Sequence, residues 1–141
     1  MNNALGTRPN LLEDYTRVGN YATFGFIGPD GSIDWMCLPR FDSVACFAAS
    51  LGSADNGRWL MAPAAGSPRV NSAYVDQTLI HDTIFDADTG VVCVSDWTLR
   101  RGGIAELARV GRRPRGRALM RTGIKIRFDF GAEALPMSGT L

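Results

Sequence analysis

Strict two-residue alternation between Ala118 and Phe130 is the feature that most limits what this chain can fold into. The alternating apolar or methyl-bearing set is Ala118, Met120, Thr122, Ile124, Ile126, Phe128 and Phe130. A period of two is typical of a β-strand with one buried face, because successive side chains of a strand point to opposite sides. The sequence therefore predicts one long strand whose alternating set faces a core.

Two pairs of further strands are separated by turn residues. Gln77 to Asp86 and Val91 to Thr98 are rich in strand-forming residues and are joined by a short segment containing Asp and Gly. Tyr21 to Ile27 and Ser32 to Cys37 flank the turn Gly28-Pro29-Asp30-Gly31, in which proline presets the first central φ. Each pair is predicted to form an antiparallel hairpin.

Shorter elements complete the prediction. Three brief strands are expected, at Arg58 to Ala62, Val70 to Val75 and Glu106 to Val110. A short Ala-rich helix is expected from Ser43 to Leu51, with Asp42 or Ser43 as N-cap and Gly52 at its C-terminal end. Many short strands with turn signals and one helix are typical of an antiparallel β-sandwich. The predicted fold is therefore all-β, a single sandwich domain over residues 1–141 with one short helix.

Charge and hydropathy exclude several kinds of partner. The 141 residues contain 15 Lys and Arg against 14 Asp and Glu, a net charge of +1, so no global field attracts nucleic acid or an anionic membrane. No segment has the roughly 20 consecutive apolar residues that span a bilayer, and the first residues lack the pattern of a signal peptide. We expect a cytoplasmic protein that binds neither nucleic acid nor membrane.

Cysteine and histidine give little evidence for a metal or a redox centre. Cys37, Cys46 and Cys93 are odd in number, lie among apolar residues and lack C-x-x-C spacing, which predicts buried free thiols. The single histidine, His81, lies in a predicted strand without a nucleophile beside it and is interpreted as structural or surface. Dinucleotide, P-loop and hydrolase-elbow motifs are absent from the sequence, so no cofactor and no metal site are expected.

Arginine is concentrated in one segment. Arg112 to Arg117 lies near Arg100-Arg101 and is the densest positive charge in the chain. Aromatic residues that would stack on bases are not interleaved with it, which disfavours binding to single-stranded nucleic acid. The segment is predicted to be a solvated loop between two strands.

The segment from Gly31 to Ser43 carries the densest potential chemistry. On a regular strand one face would carry Ile33, Trp35 and Cys37, and the other Asp34 and Met36. Pro39 ends this strand, and Arg40-Phe41-Asp42 follows as a loop.

Two interpretations of this segment remain open at this point. An aromatic face covers the apolar face of a pyranose while arginine and aspartate bind its hydroxyls, so Trp35, Arg40, Phe41 and Asp42 could together bind a sugar. Alternatively, Trp35 belongs to the core, and Arg40 and Asp42 form a local salt bridge or a helix cap.

Several motifs, in order and spacing, resemble the N-terminal domain of glycoside hydrolase family 15, the bacterial and archaeal glucoamylase- and trehalase-like proteins. The matching segments are Glu13-Asp14-Tyr15, Gly28 to Trp35, Cys37 to Ser43, Gly57-Arg58-Trp59, Thr89 to Val92 with Asp96, and Arg127 to Gly131. The long match from Gly31 to Ser43 is the most specific, and the resemblance covers nearly the whole chain.

The resemblance implies a supersandwich-like β-domain that precedes a catalytic barrel of paired helices. Members of the family hydrolyse α-glucosidic bonds with inversion, with one carboxylic acid protonating the leaving oxygen and one carboxylate activating water. Both groups belong to the barrel, so the glutamates of this chain, Glu13, Glu106 and Glu133, inherit no catalytic role. The chain alone is therefore expected to be inactive.

As an accessory domain, the chain would support the barrel and contact the α-glucoside only indirectly. The hypothesis for its substrate-proximal residues is the set Asp34, Trp35, Arg40, Phe41 and Asp42. A polar loop at the end of a hairpin is well placed to reach the rim of an active site across a domain interface.

Two alternatives belong to other classes of function. The first is a free-standing glucan-binding module that uses Trp35, Trp59 or Trp97 as stacking surfaces. The second is a protein-interaction domain whose partner is a separately encoded barrel or another copy of itself.

Overall fold

The computed structural model describes residues 10–129 and 133–134, and these form a mainly β protein with two antiparallel sheets. The first sheet contains β1 (Thr16–Gly19), β2 (Phe24–Ile27), β3 (Ile33–Cys37), β4 (Ala45–Phe47), β5 (Arg58–Pro63) and β10 (Met120–Lys125). Its order is β1-β2-β3-β5-β10, with β4 paired to β3.

The second sheet has the simple order β6-β7-β8-β9. Its strands are β6 (Arg69–Tyr74), β7 (His81–Ala87), β8 (Gly90–Arg101) and β9 (Ile104–Gly116). A small separate ribbon pairs β11 (Arg127–Phe128) with β12 (Glu133–Ala134). The predicted all-β class is confirmed.

Both predicted hairpins are present. β2 and β3 pair antiparallel across the turn, in which the Gly31 amide donates to the Gly28 carbonyl over 2.9 Å. β7 and β8 pair antiparallel with His81 opposite Asp96 and Ala87 opposite Gly90. The turn chemistry of Pro, Asp and Gly is thus sufficient to position both pairs.

The predicted helix from Ser43 to Leu51 is wrong. Ala45–Phe47 forms β4 and pairs with β3, and a single 3-10 turn follows at Ala49–Leu51. A helix this short is marginal by itself, whereas the strand buries Ala45, Cys46 and Phe47 in the core. Burial of these side chains outweighs the helical preference of the alanines.

The predicted long strand is also interrupted, and much of its inward face lies open. The alternating segment is divided between β10 and β11, and Phe130 lies outside the described residues. Ile124 remains 56% exposed although its position in the alternation predicted burial. The two-residue period predicted a strand correctly, but the described residues leave part of the face that was expected to be buried exposed.

The arginine-rich segment is a strand, not the predicted loop. β9 extends to Gly116 and includes Arg112 to Arg115. Arg112 reaches Asp82 at 3.2 Å, and Arg115 reaches Asp86 at 3.3 Å. Carboxylates on β7 therefore pair with these arginines of β9. The pairing makes the arginine-rich segment less suited to binding phosphates.

The two sheets face each other over an apolar core. On one side, Leu60 and Ala62 from the first sheet pack with Phe85, Val92 and Val94 from the second. On the other, Ile33, Met36 and Phe47 form a cluster against which Leu107 of β9 packs. The three cysteines are buried free thiols, as predicted, and His81 is a buried structural residue.

A buried ion pair joins the sheets beside this core. Arg109 donates to both carboxylate oxygens of Asp96, over 2.6 and 3.1 Å, and both side chains are fully buried. Its guanidinium also donates to the carbonyl of Trp59 in β5 and to that of Gly31 in the turn before β3, each over 2.5 Å. Arg109 thereby connects β8 and β9 to β5 and to the turn that precedes β3, the strand carrying Asp34.

Candidate functional site

A β-bulge sets the position of Asp34. Phe26 lies opposite Trp35, but the next residue along, Ile27, lies opposite Ile33, so Asp34 is the extra residue of β3. A bulge breaks the alternation of a strand and redirects the side chains around it. The prediction that Ile33, Trp35 and Cys37 share one face is therefore wrong, and Ile33 instead joins Met36 in one core cluster.

The Asp34 carboxylate is almost entirely buried yet only half satisfied. Asp34 is 6% exposed, and the Tyr15 hydroxyl donates to its Oδ2 over 3.0 Å. Its Oδ1 has no hydrogen-bond partner among the described residues. Buried carboxylate oxygens are normally paired, so this unpaired oxygen, which solvent does not reach, lowers the stability of the fold.

Burial also shifts the acidity of this pair. It raises the pKa of Asp34 above its ordinary value, against the opposing effects of the Ser32 and Tyr15 hydroxyls. The Ser32 hydroxyl is the stronger of the two opposing neighbours, and it lowers the pKa of Asp34 as a hydrogen-bonding group. The pKa of Tyr15 rises to about 12, chiefly through burial, so this hydroxyl stays protonated and remains a donor to Asp34.

Asp34 lines a polar cleft of about 440 Å³ between the first hairpin turn and the two 3-10 turns at Ala49–Leu51 and Ala54–Asn56. We call it the Asp34 cleft, and the polar side chains that line it include Tyr15, Asp30, Asp34, Ser50, Ser53 and Arg58. Arg58 lies 3.6 Å from Asp30. Two carboxylates and one guanidinium leave a local excess of negative charge when both acids are ionised.

The Arg40-Phe41-Asp42 loop lies elsewhere. None of its three residues lines the Asp34 cleft. Arg40 and Asp42 form an exposed bidentate pair, with Nε to Oδ1 at 2.8 Å, and the hydrogen bond from Arg40 lowers the pKa of Asp42. Phe41 is 57% exposed. The local salt bridge considered as the alternative is present.

Beside this loop lies an exposed apolar groove of about 620 Å³. We define the apolar groove by its main lining residues, which are Leu38, Pro39, Phe47, Trp59, Ile104, Leu107, Ile124, Ile126 and Phe128. Ile104 is 65% exposed on its rim. Leu38 and Pro39 immediately precede Arg40 in the chain, so the groove and the loop are continuous.

The tryptophans are not presented as an open stacking platform. Trp35 is partly buried and packs against Cys37, Ala45 and Ala48. Trp59 is partly buried beneath the guanidinium of Arg109, 5.5 Å from the ring centroid, and Trp97 is also partly buried. The structure thus gives the core interpretation of Trp35 more support than the glucan-platform interpretation.

Sequence reasoning found Asp34 but missed the residues that surround it. Tyr15 and Arg58 line the cleft, and Arg109 holds the carbonyl of Gly31, yet none of them was a candidate. Tyr15 lies 19 residues from Asp34, and Arg109 lies 78 from Gly31, so no local spacing could connect them. Among the described residues no group of three or more His, Cys, Asp or Glu could hold a metal ion.

Comparison with known proteins now supplies the family. The model of the family described as "Trehalase-like, N-terminal" matches residues 2–138. The chain belongs to the trehalase-like N-terminal domain family. The resemblance identified from the hairpin and loop motifs is confirmed.

Two curated relatives are both named trehalase. That of Mycobacterium tuberculosis is 32% identical over 85 residues, which are 60% of this chain but 12% of the relative. That of Mycolicibacterium smegmatis is 31% identical over 85 residues, covering 60% of this chain and 13% of the relative. The matched part thus spans about one eighth of the length of these relatives.

No solved structure matches this chain. In the described part of the chain, no helix has the length and hydropathy required to cross a membrane.

Proposed function

We propose that this chain acts as a single accessory domain at the N-terminal side of a trehalase-like α-glucoside hydrolase, where it supports a catalytic domain. The observation that carries the proposal is the apolar groove, open on a chain that belongs to the trehalase-like N-terminal family. Its occupant in this proposal is the catalytic domain of the same enzyme. The length of the relatives supports this, since a segment that is 60% of this chain is only 12% of the first relative.

The chemistry of the groove suits a permanent interface inside one protein. Burial of apolar surface stabilises by about 25 cal/mol per Å², and contiguous exposed apolar patches usually mark contact surfaces. Its rim residues Ile104 and Ile124 are both more than half exposed, although isoleucine is one of the residues most often buried. Among the described residues, none with a charged side chain lines the groove, so a partner surface could cover it without desolvating a charge.

The second part of the proposal gives the adjoining Arg40-Phe41-Asp42 loop a place at the rim of the active site. The loop begins where the apolar groove ends, so a domain seated on the groove would meet the loop at its edge. Its bidentate ion pair holds the guanidinium in one orientation, and its neighbour Phe41 is exposed. An exposed arginine and aspartate are suited to hydrogen-bond the hydroxyls of a sugar.

Catalysis would belong to the other domain. Inverting hydrolysis needs an acid and a base on opposite sides of the glycosidic bond, and the family resemblance assigns both to the barrel. The three buried free thiols support a cytoplasmic location for such an enzyme, because reduced cysteines are typical of that compartment.

The test uses the enzyme that contains this domain, identified by the mass of the native protein detected with an antibody against the 141 residues. A band several times heavier than 15.3 kDa is expected, and a band at 15.3 kDa would contradict the accessory role. In the enzyme, Arg40→Ala should lower kcat/KM for trehalose by about tenfold, the loss of roughly one charged hydrogen bond. Arg69→Ala is the matched control, because Arg69 is exposed and lies on the other sheet. Unchanged kinetics for Arg40→Ala would refute the rim position.

A further inference from the structure

We infer that a second cavity, at one end of the two facing sheets, binds a small anionic amphiphile, a molecule with an apolar body and one carboxylate or phosphate head group. The inference goes beyond the proposed accessory role, since it assigns a ligand to this domain by itself. It rests on the apolar side of the cavity, on two arginines without partners at its edge, and on the sign of the charge around it.

The cavity lies where β5, β7 and β9 end and β8 begins, and its volume is about 490 Å³. We call it the Arg113 cavity and define it by its main lining residues, which are Pro63, Phe85, Val92, Arg113, Arg117 and Leu119. Phe85 and Val92 are buried members of the core cluster that both sheets share, so the apolar side of the cavity is continuous with the core. The volume falls within the range of small-molecule sites, and an aliphatic chain could lie against this apolar side.

The arginines of the arginine-rich segment differ in whether they have counter-charges. Arg112 and Arg115 pair with carboxylates of β7, and neither of them lines the cavity. Arg113 and Arg117 do line it, and within the described part of the chain neither guanidinium has a hydrogen bond or an ion pair. No acidic residue among the described ones lines the cavity. Two exposed positive charges thus remain without a counter-charge beside an apolar cavity.

Backbone contacts fix Arg117 at the edge of the cavity. Its amide donates to the Thr89 carbonyl over 3.0 Å. Gly116, the residue before it, has φ of +70°, and a Cβ there would collide with the same carbonyl. Glycine therefore lets the end of β9 approach the turn between β7 and β8 closely. The charged edge of the cavity is held against the hairpin whose strands supply Phe85 and Val92.

This combination selects an anion that also has an apolar body. The planar fork of a guanidinium matches the oxygens of a carboxylate or a phosphate, and such charge-assisted hydrogen bonds are stronger than neutral ones. Thr89 also lines the cavity and carries a hydroxyl that can donate to the same head group. A cation would meet two like charges, and an anion without a body would leave the apolar side uncovered. Head group and body are both required for tight binding.

The experiment is a titration of the ¹⁵N-labelled 141-residue chain followed by amide NMR shifts. Butyrate, hexanoate and octanoate form a series of increasing length, and octyl phosphate carries the other head group. We expect saturable shifts at Gly90, Val92 and Ala118, with affinity rising by up to about fourfold for each added methylene. Acetate, inorganic phosphate, 1-octanol and octylammonium each lack the head group or the body, and should bind at least tenfold more weakly than octanoate.

The probes also define what would overturn the inference. Binding of 1-octanol or octylammonium as tight as that of octanoate would show that the arginines select nothing. Octanoate shifts confined to the apolar groove would place the ligand elsewhere. Binding of either anionic octyl compound at the cavity supports the inference, and the tighter of the two identifies the preferred head group.

A pair of double variants tests the arginines. Arg113→Gln with Arg117→Gln removes both charges of the cavity and should weaken octanoate binding at least tenfold, the loss of charge-assisted hydrogen bonds. Arg112→Gln with Arg115→Gln is the matched control, because it removes two charges from the same segment outside the cavity, and it should bind octanoate as the unchanged chain does. Equal weakening in both double variants would attribute binding to net charge and overturn the inference.

A second variant tests the site without altering an arginine. Leu119 is mostly exposed, so Leu119→Asp should leave the fold intact while it places a negative charge at the cavity. Octanoate binding should be abolished by Leu119→Asp and retained by Leu79→Asp, since Leu79 is also mostly exposed and does not line the cavity. Undiminished binding by Leu119→Asp would contradict the assignment.

The outcome is separate from that of the proposed function, because no residue that lines the Arg113 cavity lines the apolar groove. Octanoate binding, with the tenfold effect of Arg40→Ala absent from the enzyme, would support the cavity and refute the active-site rim. Absence of binding by both octanoate and octyl phosphate would refute the cavity and leave the accessory role to its own test.

Discussion

At the scale of single residues, His81 is a buried base without a hydrogen bond. It is 1% exposed, and neither ring nitrogen has a partner among the described residues. Several titratable groups lie around its ring. Tyr74 makes an edge contact with the ring, Asp96 lies opposite on β8, and Asp82 is the next residue in sequence. Arg109 approaches from β9, and Asp14 lines the same small cavity. Burial lowers the pKa of His81 from its usual 6.5, so the folded chain favours the neutral ring.

This shift predicts a stability change on acidification. Between pH 6.5 and the lowered pKa, the unfolded chain binds a proton that the folded chain does not, so stability falls as pH falls through that window. His81→Phe keeps an aromatic ring without a titrating nitrogen and should remove this contribution. The free energy of unfolding of the variant, relative to the unchanged chain, should therefore increase from pH 8 to pH 5 in urea titrations.

The variant must be compared with the unchanged chain because two buried acids change the free energy of unfolding with pH in the opposite direction. Burial raises the pKa of Asp34 and of Asp96, so below their raised values the folded chain binds protons that the unfolded chain releases. Their contribution increases as pH falls toward the ordinary value of 3.8. A difference between His81→Phe and the unchanged chain that is constant with pH would contradict the assignment to His81.

The second prediction at this scale concerns the buried ion pair of Arg109. Arg109→Met leaves Asp96 buried without its partner and leaves the carbonyls of Trp59 and Gly31 without their donor. Breaking a buried pair in this way costs about 3 to 5 kcal/mol. The double variant Asp96→Leu with Arg109→Met removes both charges and should regain much of this loss, measured by urea unfolding. A single variant within about 1 kcal/mol of the unchanged chain would show that the pair does not join the sheets energetically.

At the scale of elements, the turn between β2 and β3 connects the two sheets. Gly31 has φ of +78°, and a Cβ there would lie 2.7 Å from Cζ of Phe85 in the opposite sheet. Phe85 is buried in a packed core, so movement of its ring would disturb the side chains around it. Gly31 also carries the carbonyl that Arg109 binds, so its position affects the whole hairpin on which Asp34 lies.

The contrast with another glycine gives the third prediction. Gly66 has φ of +87°, but a Cβ there would meet nothing within 4 Å. Gly66→Ala should therefore cost only the conformational strain, about 1 to 2 kcal/mol. Gly31→Ala should cost that strain plus about 1 to 3 kcal/mol of overpacking against Phe85. Thermal unfolding of the two variants checks this, and equal losses would mean that the turn has room to move.

The same elements explain what sequence could predict. Both hairpins follow from local turn residues and alternation, which act over a few positions. The strand at Ala45–Phe47 could not be predicted, because its partner β3 and the cavity it fills are set by tertiary packing. The dense arginines predicted a solvated loop, and the strand was missed because the counter-charges of Arg112 and Arg115, Asp82 and Asp86, lie about 30 residues earlier in the sequence.

In the candidate site, too, local features could be predicted from the sequence and long-range contacts could not. Asp34 was identifiable because it lies in a recognisable local motif. The bulge that buries it and the hydroxyl of Tyr15 that binds it depend on the register between β2 and β3 and on a residue from before β1. Residue types in a motif thus indicated a candidate, whereas the cleft itself required the packed hairpin.

At the scale of the whole molecule, the chain is expected to lack hydrolytic activity. An inverting pair must place an acid and a base about 6.5 to 9.5 Å apart around the glycosidic bond. Asp30 and Asp34 share a cleft, but Asp30 is engaged by the Ser32 amide and Arg58. The purified 141-residue chain should release glucose from trehalose at the rate of buffer alone. Turnover that disappears in Asp34→Asn but not in Asp86→Asn would contradict this and identify a catalytic cleft.

The last prediction is that the isolated chain associates with itself in solution through the apolar groove. Without a partner on the groove, association between copies is the remaining way to remove Ile104 and Ile124 from water. Sedimentation velocity should therefore show a mass that increases with concentration. The double variant Ile104→Lys with Ile124→Lys should abolish the increase. Leu79→Lys is the matched control, because Leu79 is 62% exposed and does not line the groove. If Leu79→Lys acted like the double variant, general surface charge rather than the groove would control association.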